Sequence, residues 1–156
     1  MDRYVHVKLL NSFIVSLSKT PDYRFALSNG KRVSLVETVG VVVGRERKDK
    51  FLRFHLDDGS ALLPCILWLN HLYLSPSPSP RDELLFTMAV EQAEEVALGK
   101  LMTVRGRITE YRGVKQITVS NLRVEENPNA EILHWLQCIK LGKESYNLRP
   151  PLTSNS

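Results

Sequence analysis

VSLVETVGVVVGRERKDKFLRFHLDDGSALLPCILW, residues 33–68, decides the fold of this 156-residue chain. It divides into three extended segments. Val39 to Val43 is a β-branched run interrupted by Gly40, and a glycine there predicts a bulge or a sharp coil of the strand. Lys50 to Asp57 alternates strictly: Leu52, Phe54 and Leu56 point one way, Phe51, Arg53 and His55 the other. Asp58 and Gly59 supply the positive-φ residues of a tight hairpin turn, and Leu62 to Trp68 returns as the third strand. A coiled meander with one wet, basic-aromatic face and one dry face is the core of a small barrel.

The flanks complete it. Residues 4–18 alternate at Val5, Val7 and Leu9 and again at Phe13, Val15 and Leu17, which predicts a leading strand. Thr20-Pro21-Asp22 and Ser28-Asn29-Gly30-Lys31 are turns. Ser75 to Pro80 alternates serine and proline and reads as a stiff loop. Asp82 to Leu98 carries Leu85, Met88, Ala89, Gln92 and Val96 at helical spacing, with Gly99 as its stop. Leu101 to Tyr111 alternates with Val104, Gly106 and Ile108 inward and Arg105, Arg107, Thr109 and Tyr111 outward. Arg112-Gly113 turns the chain, and Val114 to Val124 returns with Ile117 and Val119 inward. Asn127-Pro128 begins a closing helix with Ile132, Trp135, Leu136 and Ile139 on one stripe. Five strands with a helix between the third and fourth is the order of the OB-fold barrel. The fold class is all-β with helices: a single OB-fold five-stranded barrel with a helix between strands 3 and 4 and a C-terminal helix. The division is 1–31 N-terminal extension, 32–126 barrel, 127–142 partner-binding helix and 143–156 flexible tail.

Composition excludes several classes. With 43% hydrophobic and 24% charged residues the chain is that of an ordinary globular domain. No apolar run approaches the ~20 residues of a membrane helix, and the N-terminus has no signal-peptide pattern, which predicts an intracellular protein. Cys65 and Cys138 read as buried free thiols, and no Cys/His spacing suits a metal. Charge is unevenly spread. Residues 45–56 hold five basic and two acidic residues and 101–124 five and one, whereas 81–97 hold one and five. Basic strands and an acidic helix suggest a sheet facing a polyanion.

OB barrels bind single strands with cations that track phosphates and aromatic rings that stack on bases, the latter contributing about 1–3 kcal/mol per base. The candidate contacts are Arg47 and Lys50 in the first loop, Phe51, Arg53 and His55 on strand 2, and Trp68 at the end of strand 3. Arg105, Arg107, Tyr111 and Arg112 on the last hairpin complete the set. Trp68 reads equally as a core lid. Asp57 and Asp58 read as turn residues rather than a metal pair, because neighbours on a strand point to opposite faces. No catalytic constellation is present, which predicts a binding protein without cofactor or metal. Ile132, Trp135, Leu136 and Ile139 need a cover, either the barrel or a helix of another chain.

These blocks resemble a known family. VETVGVVVGRERKDKFLRFHLDDGSALLPCILW, VRGRITEYRGVKQITV and residues 126–136 are similar to the S subunit (Stn family) of the CST telomere-capping complex, in its short plant-type form. The resemblance implies a nuclear, telomere-associated subunit that pairs with the small OB-fold subunit of CST through closing helices and joins the large subunit. It implies binding of single-stranded, G-rich telomeric DNA, protection of chromosome ends and support of C-strand fill-in by DNA polymerase alpha–primase, with no membrane association. The family's DNA-contact positions carry over to Trp68 and Tyr111, while an arginine of some members is Thr109 here. The C-terminal winged-helix modules of animal and fungal members are not expected. Two alternatives stand beside this: a single-strand binder like the middle subunit of replication protein A, or a pure protein-interaction module.

Overall fold

The computed structural model describes residues 6–22, 24–27, 30, 32–69 and 79–144. In chain order its elements are β1 (Val7–Lys8), α1 (Asn11–Val15), β2 (Ser18–Lys19), β3 (Phe25–Ala26), β4 (Arg32–Val33) and β5 (Leu35–Arg47). They continue as β6 (Phe51–Asp57), β7 (Leu62–Trp68), α2 (Pro80–Glu95), β8 (Leu101–Tyr111), β9 (Val114–Val124) and α3 (Ala130–Glu144). β5, β6 and β7 form the antiparallel meander, β7 runs parallel to β9, and β9 pairs antiparallel with β8. β8 then pairs with the first half of β5 and closes the ring. This is the five-stranded OB barrel, with α2 between its third and fourth strands.

Alternation fills the barrel. Leu52, Phe54, Leu56, Leu63, Cys65, Met102, Val104 and Ile117 are all fully buried. Burial of a side chain of this size contributes roughly 1.5–3 kcal/mol relative to exposure. β5 serves two neighbours because it is 13 residues long: Leu35–Val41 face β8 and Val41–Arg47 face β6. The bulge expected at Gly40 falls instead between Val42 and Gly44. Gly40 has a different task. A Cβ there would meet the Asp57 carbonyl oxygen at 3.0 Å, so the glycine permits close approach of β6. At the Asp58-Gly59 turn the positive φ belongs to Gly59, while Arg112 and Gly113 both take it at the last hairpin.

The N-terminal extension differs from the expected strand. Val7 and Lys8 pair, parallel to β5, and the chain then turns into α1. The reason is Asn11, which is fully buried. Its amide donates to the carbonyls of Leu56 at 3.2 Å and Ala61 at 3.1 Å, and its Oδ1 accepts from Thr38 at 2.7 Å. Leu9, Leu10, Ile14 and Leu17 follow it into the core. β2, β3 and β4 form a second small sheet that the turn chemistry did not reveal.

α2 starts earlier than expected. Ser79 caps it in a reciprocal capping box with Asp82, and Pro80 takes the first turn. Its buried face is Phe86, Ala89, Ala93 and Val96, so Leu85 and Met88 of the expected stripe are exposed. The helix ends at Glu95, before Gly99. α3 begins at Ala130, two positions beyond Pro128, with the Asn127 carboxamide accepting the Asn129 N–H at 3.0 Å. The expectations for residues 4–5, 28–29, 31, 75–78 and 145–156 lie outside the described residues.

Candidate nucleic-acid interface

On the outer face of β6, register brings aromatic and cationic side chains together. Phe51 lies opposite Trp68 across the β6–β7 pair, and their rings meet edge to face with centroids 5.5 Å apart. Arg53, two residues along the same face, holds its guanidinium carbon 5.3 Å from the Phe51 ring and 5.3 Å from the Tyr111 ring. Arg112 places its own 5.1 Å from the Tyr111 ring. The result is one continuous row, Trp68–Phe51–Arg53–Tyr111–Arg112, joining two strands and the tip of the last hairpin. Trp68 is 40% exposed and Tyr111 46%. Trp68 is therefore not a core lid. Large aromatic faces held partly in water by cation–π contacts suit stacking of flat, electron-rich rings.

The other candidates are placed differently. His55 stays on the outer face, packed near Gly44. Arg47 is opposite the inward Leu52 and therefore on the other row of β5. Lys50 is exposed beside Phe51, and its carbonyl accepts the Leu69 N–H at 2.8 Å. Arg105 belongs to a different wall: its Nε donates to Glu37 at 2.5 Å, and Lys8 pairs with the same carboxylate at 3.1 Å. Burial acts to raise the pKa of Glu37, but the hydrogen bonds from Arg105 and Lys8 outweigh it and hold the group below the usual carboxylate range. Arg107 is exposed, between Leu35 and Thr118. Thr109 bonds Thr118 across the hairpin at 2.9 Å.

Two features of this surface were not legible beforehand. Glu46 sits opposite Arg53 on the aromatic face, balanced by Lys48 at 3.0 Å. Lys19 of β2 reaches Glu110 at 2.7 Å, and its ammonium holds that carboxyl below the ordinary range. Arg45 leaves the basic loop altogether. Its guanidinium donates to the Val96 carbonyl at 2.8 Å and the Ala93 carbonyl at 3.3 Å, closing the C-terminal end of α2.

A second surface lies on α3. His134 and Cys138 face the barrel and are buried; burial pushes the histidine pKa down and the thiol up to about 12. The predicted stripe is divided: Trp135 and Ile139 are half-buried, and the other two members are exposed. Ile132 and Leu136 are 61% and 60% exposed, and with Trp135 and Ile139 they line an open groove of about 420 Å³ floored by Asp58 and Gly59. Helix α3 thus packs on its own barrel and still presents the apolar stripe. Glu131 borders the groove, its pKa raised by burial and by the carboxylates of Asp58 and Asp57. Asp58 is fully buried. It accepts the Asn11 and Ser60 N–H groups at 2.8 and 2.9 Å and the Ser60 hydroxyl at 2.7 Å.

Residues 36–125 match the family model described as OB-fold nucleic acid binding domain. The chain is 43% identical to the CST complex subunit STN1 of Arabidopsis thaliana, over 96% of this chain and 98% of that protein. Against STN1 of Homo sapiens the identity is 28% over 78% of this chain, which spans 36% of the human protein. Among solved structures, the S. pombe Stn1-Ten1 complex superposes with a TM-score of 0.70 at 17% identity, covering 88% of this chain and 90% of that one. A replication protein A heterotrimer bound to single-stranded DNA gives 0.69 at 16%, covering 88% and 95%. These two show a shared fold. By full-length identity and by domain match, the chain belongs to the STN1 family of OB-fold proteins.

Proposed function

We propose that this chain is the STN1-type OB-fold subunit of a CST complex, acting at chromosome ends in the nucleus as a binding protein and not as an enzyme. The observation that carries the nucleic-acid part is the unbroken row from Trp68 through Phe51, Arg53 and Tyr111 to Arg112. Stacking supplies sequence-tolerant affinity, and the arginines supply attraction to phosphates. The acids near the face are committed elsewhere. Asp57 accepts the Gly59 N–H, Asp58 is a buried hydrogen-bond acceptor, and Glu110 is paired with Lys19. That supports a surface built for holding a strand rather than cleaving it. The test is titration of a labelled single-stranded G-rich oligonucleotide into wild-type protein and into Trp68→Ala/Tyr111→Ala. A folded double variant with wild-type affinity would refute the site.

The groove on α3 supports the assembly part. Exposed Ile132 and Leu136 with half-buried Trp135 and Ile139 form an apolar strip suited to a helix of the small OB-fold subunit, with the large subunit joining the pair. Mixing the two chains and measuring the mass of the product tests it. A second reading is favoured by one comparison: the chain is also 26% identical, over 71% of its length, to a 32 kDa subunit of replication protein A from Arabidopsis thaliana. It places the same row of rings on the same kind of ligand. A partner exchange with a replication protein A large subunit separates the two readings.

A further inference from the structure

The small N-terminal sheet is made of β2, β3 and β4. Phe25, Ala26, Leu27 and Val33 are buried in the common core, so the sheet is fixed to the barrel. It lies against the hairpin that carries Tyr111 and Arg112. β4 runs through Ser34 into β5, the Ser34 carbonyl accepts the Ile108 N–H at 2.9 Å, and Lys19 reaches Glu110. Glu110 is the sole acid in residues 107–116, and Lys19 neutralises it next to the stack.

Beyond it, Arg24 and Arg32 converge on one carboxylate. Arg24 Nε lies 3.6 Å and Arg32 Nη2 3.2 Å from Asp22 Oδ2, with side chains 67% and 61% exposed. Asp22 is itself held by the Thr20 hydroxyl, and the Thr20 Oγ1 accepts the Arg24 N–H at 3.1 Å. Three cations thus face two carboxylates across this sheet and hairpin, and one unit of positive charge is left over. Two exposed guanidiniums that approach one carboxylate oxygen can meet a non-bridging phosphodiester oxygen in the same way, because it is also an anionic acceptor.

We propose that Arg24 and Arg32 form a second phosphate-binding station, which extends the single-strand track from Tyr111 across the N-terminal sheet. This rests on the single-strand reading of the aromatic row. The proposal requires that a strand long enough to fill only the row leave the station empty and that a longer one occupy it. OB folds occupy roughly 4 to 16 nucleotides, so both lengths are accessible.

The experiment titrates fluorescent oligothymidylates of about 4 and about 12 nucleotides into the full chain at several salt concentrations. Arg24→Ala/Arg32→Ala is expected to weaken the longer strand about three- to tenfold and leave the shorter one unchanged. Its log–log salt slope for the longer strand becomes shallower by about 1.4, at ~0.7 for each lost phosphate contact. Asp22→Asn removes the competing anion and is expected to tighten the longer strand, an outcome that damage to the fold does not produce. Unchanged affinity for the longer strand, or equal losses at both lengths, overturns the station and leaves the aromatic row standing. Wild-type binding of the short strand by Trp68→Ala/Tyr111→Ala overturns both.

Discussion

The indole Nε1 of Trp135 donates a hydrogen bond to the main-chain carbonyl of Asp58 at 2.6 Å. That bond connects the closing helix to the β6–β7 turn, and the Asp58 carboxylate connects the same turn to Asn11. Three regions distant in sequence therefore meet at one aspartate, directly beneath the apolar groove.

Asn11→Ala removes two donated bonds and one accepted bond from a buried site and leaves the Leu56 and Ala61 carbonyls and the Thr38 hydroxyl without that partner. At roughly 1–3 kcal/mol for each unsatisfied group, partly relieved by relaxation, a loss of about 3 kcal/mol is expected. Urea unfolding of the variant checks it. A change below about 0.5 kcal/mol, the scale of an ordinary surface substitution, would show that the network contributes little.

Trp68→Ala/Tyr111→Ala is expected to weaken single-strand binding more than tenfold, since each stacked base contributes about 1–3 kcal/mol. Both rings are partly in water and outside the buried core, so the melting temperature should stay close to wild type. Fluorescence anisotropy and a thermal melt on the same sample separate the two effects.

Arg45→Met and Arg53→Met should behave oppositely. Arg45 donates to the last carbonyls of α2, so its loss is expected to cost about 1 kcal/mol of stability and to spare affinity. Arg53 contacts two rings of the aromatic row, so under the proposed function its loss should lower affinity and spare stability. If Arg45→Met proves the poorer binder, the assignment of these two arginines is reversed.

Leu136→Glu places a charge in the groove at a position 60% exposed. The variant should fold as well as wild type and fail to form a complex with the small OB-fold subunit. Analytical ultracentrifugation of the mixture provides the readout, and a full-strength complex would move the interface off α3.

His134 gives α3 a pH dependence of definite sign. Its folded pKa lies below the ordinary 6.5, chiefly through burial, with the Asp58 charge opposing. Lys8 lowers it further, while Glu37 and a hydrogen bond with the Leu9 main chain raise it. The unfolded histidine takes up its proton at higher pH than the folded one. Docking of α3 is therefore strongest above about pH 6.5 and weakens as pH falls toward the lowered value. Trp135 emission in a Trp68→Phe background should follow this loss, and His134→Gln should remove it.

How much of this was readable from residue order depends on how far each partner lies. The alternation of Leu52, Phe54 and Leu56 against Phe51, Arg53 and His55 needs no distant information, because a strand has period two. The Arg112-Gly113 turn is equally local. Asn11 was not readable as a helix start, because its side-chain partners lie 27 to 50 positions on. Residues 84–86 of α2 are Leu-Leu-Phe, and two different apolar stripes fit the helical period there. Packing against the barrel selects the one through Phe86. The site shows the same division. Phe51, Trp68 and Tyr111 stood out as aromatics among basic residues, whereas the withdrawal of Arg45 to α2 and of Arg105 to Glu37 depends on the closed barrel.

The pairing of β5 with β8 also constrains when the molecule can form. Glu37 and Arg105 meet across that seam although they stand 68 positions apart, and every rung of the seam is comparably remote. Contacts of such long range slow folding, since a large loop must be ordered before any of them is made. On a ribosome the first half of β5 therefore emerges well before its partner exists, with Val36 and Val39 uncovered until β8 arrives. The meander can assemble early and the ring cannot. Closure of the barrel, and with it the joining of Tyr111 to Arg53, is a late event in the birth of the chain.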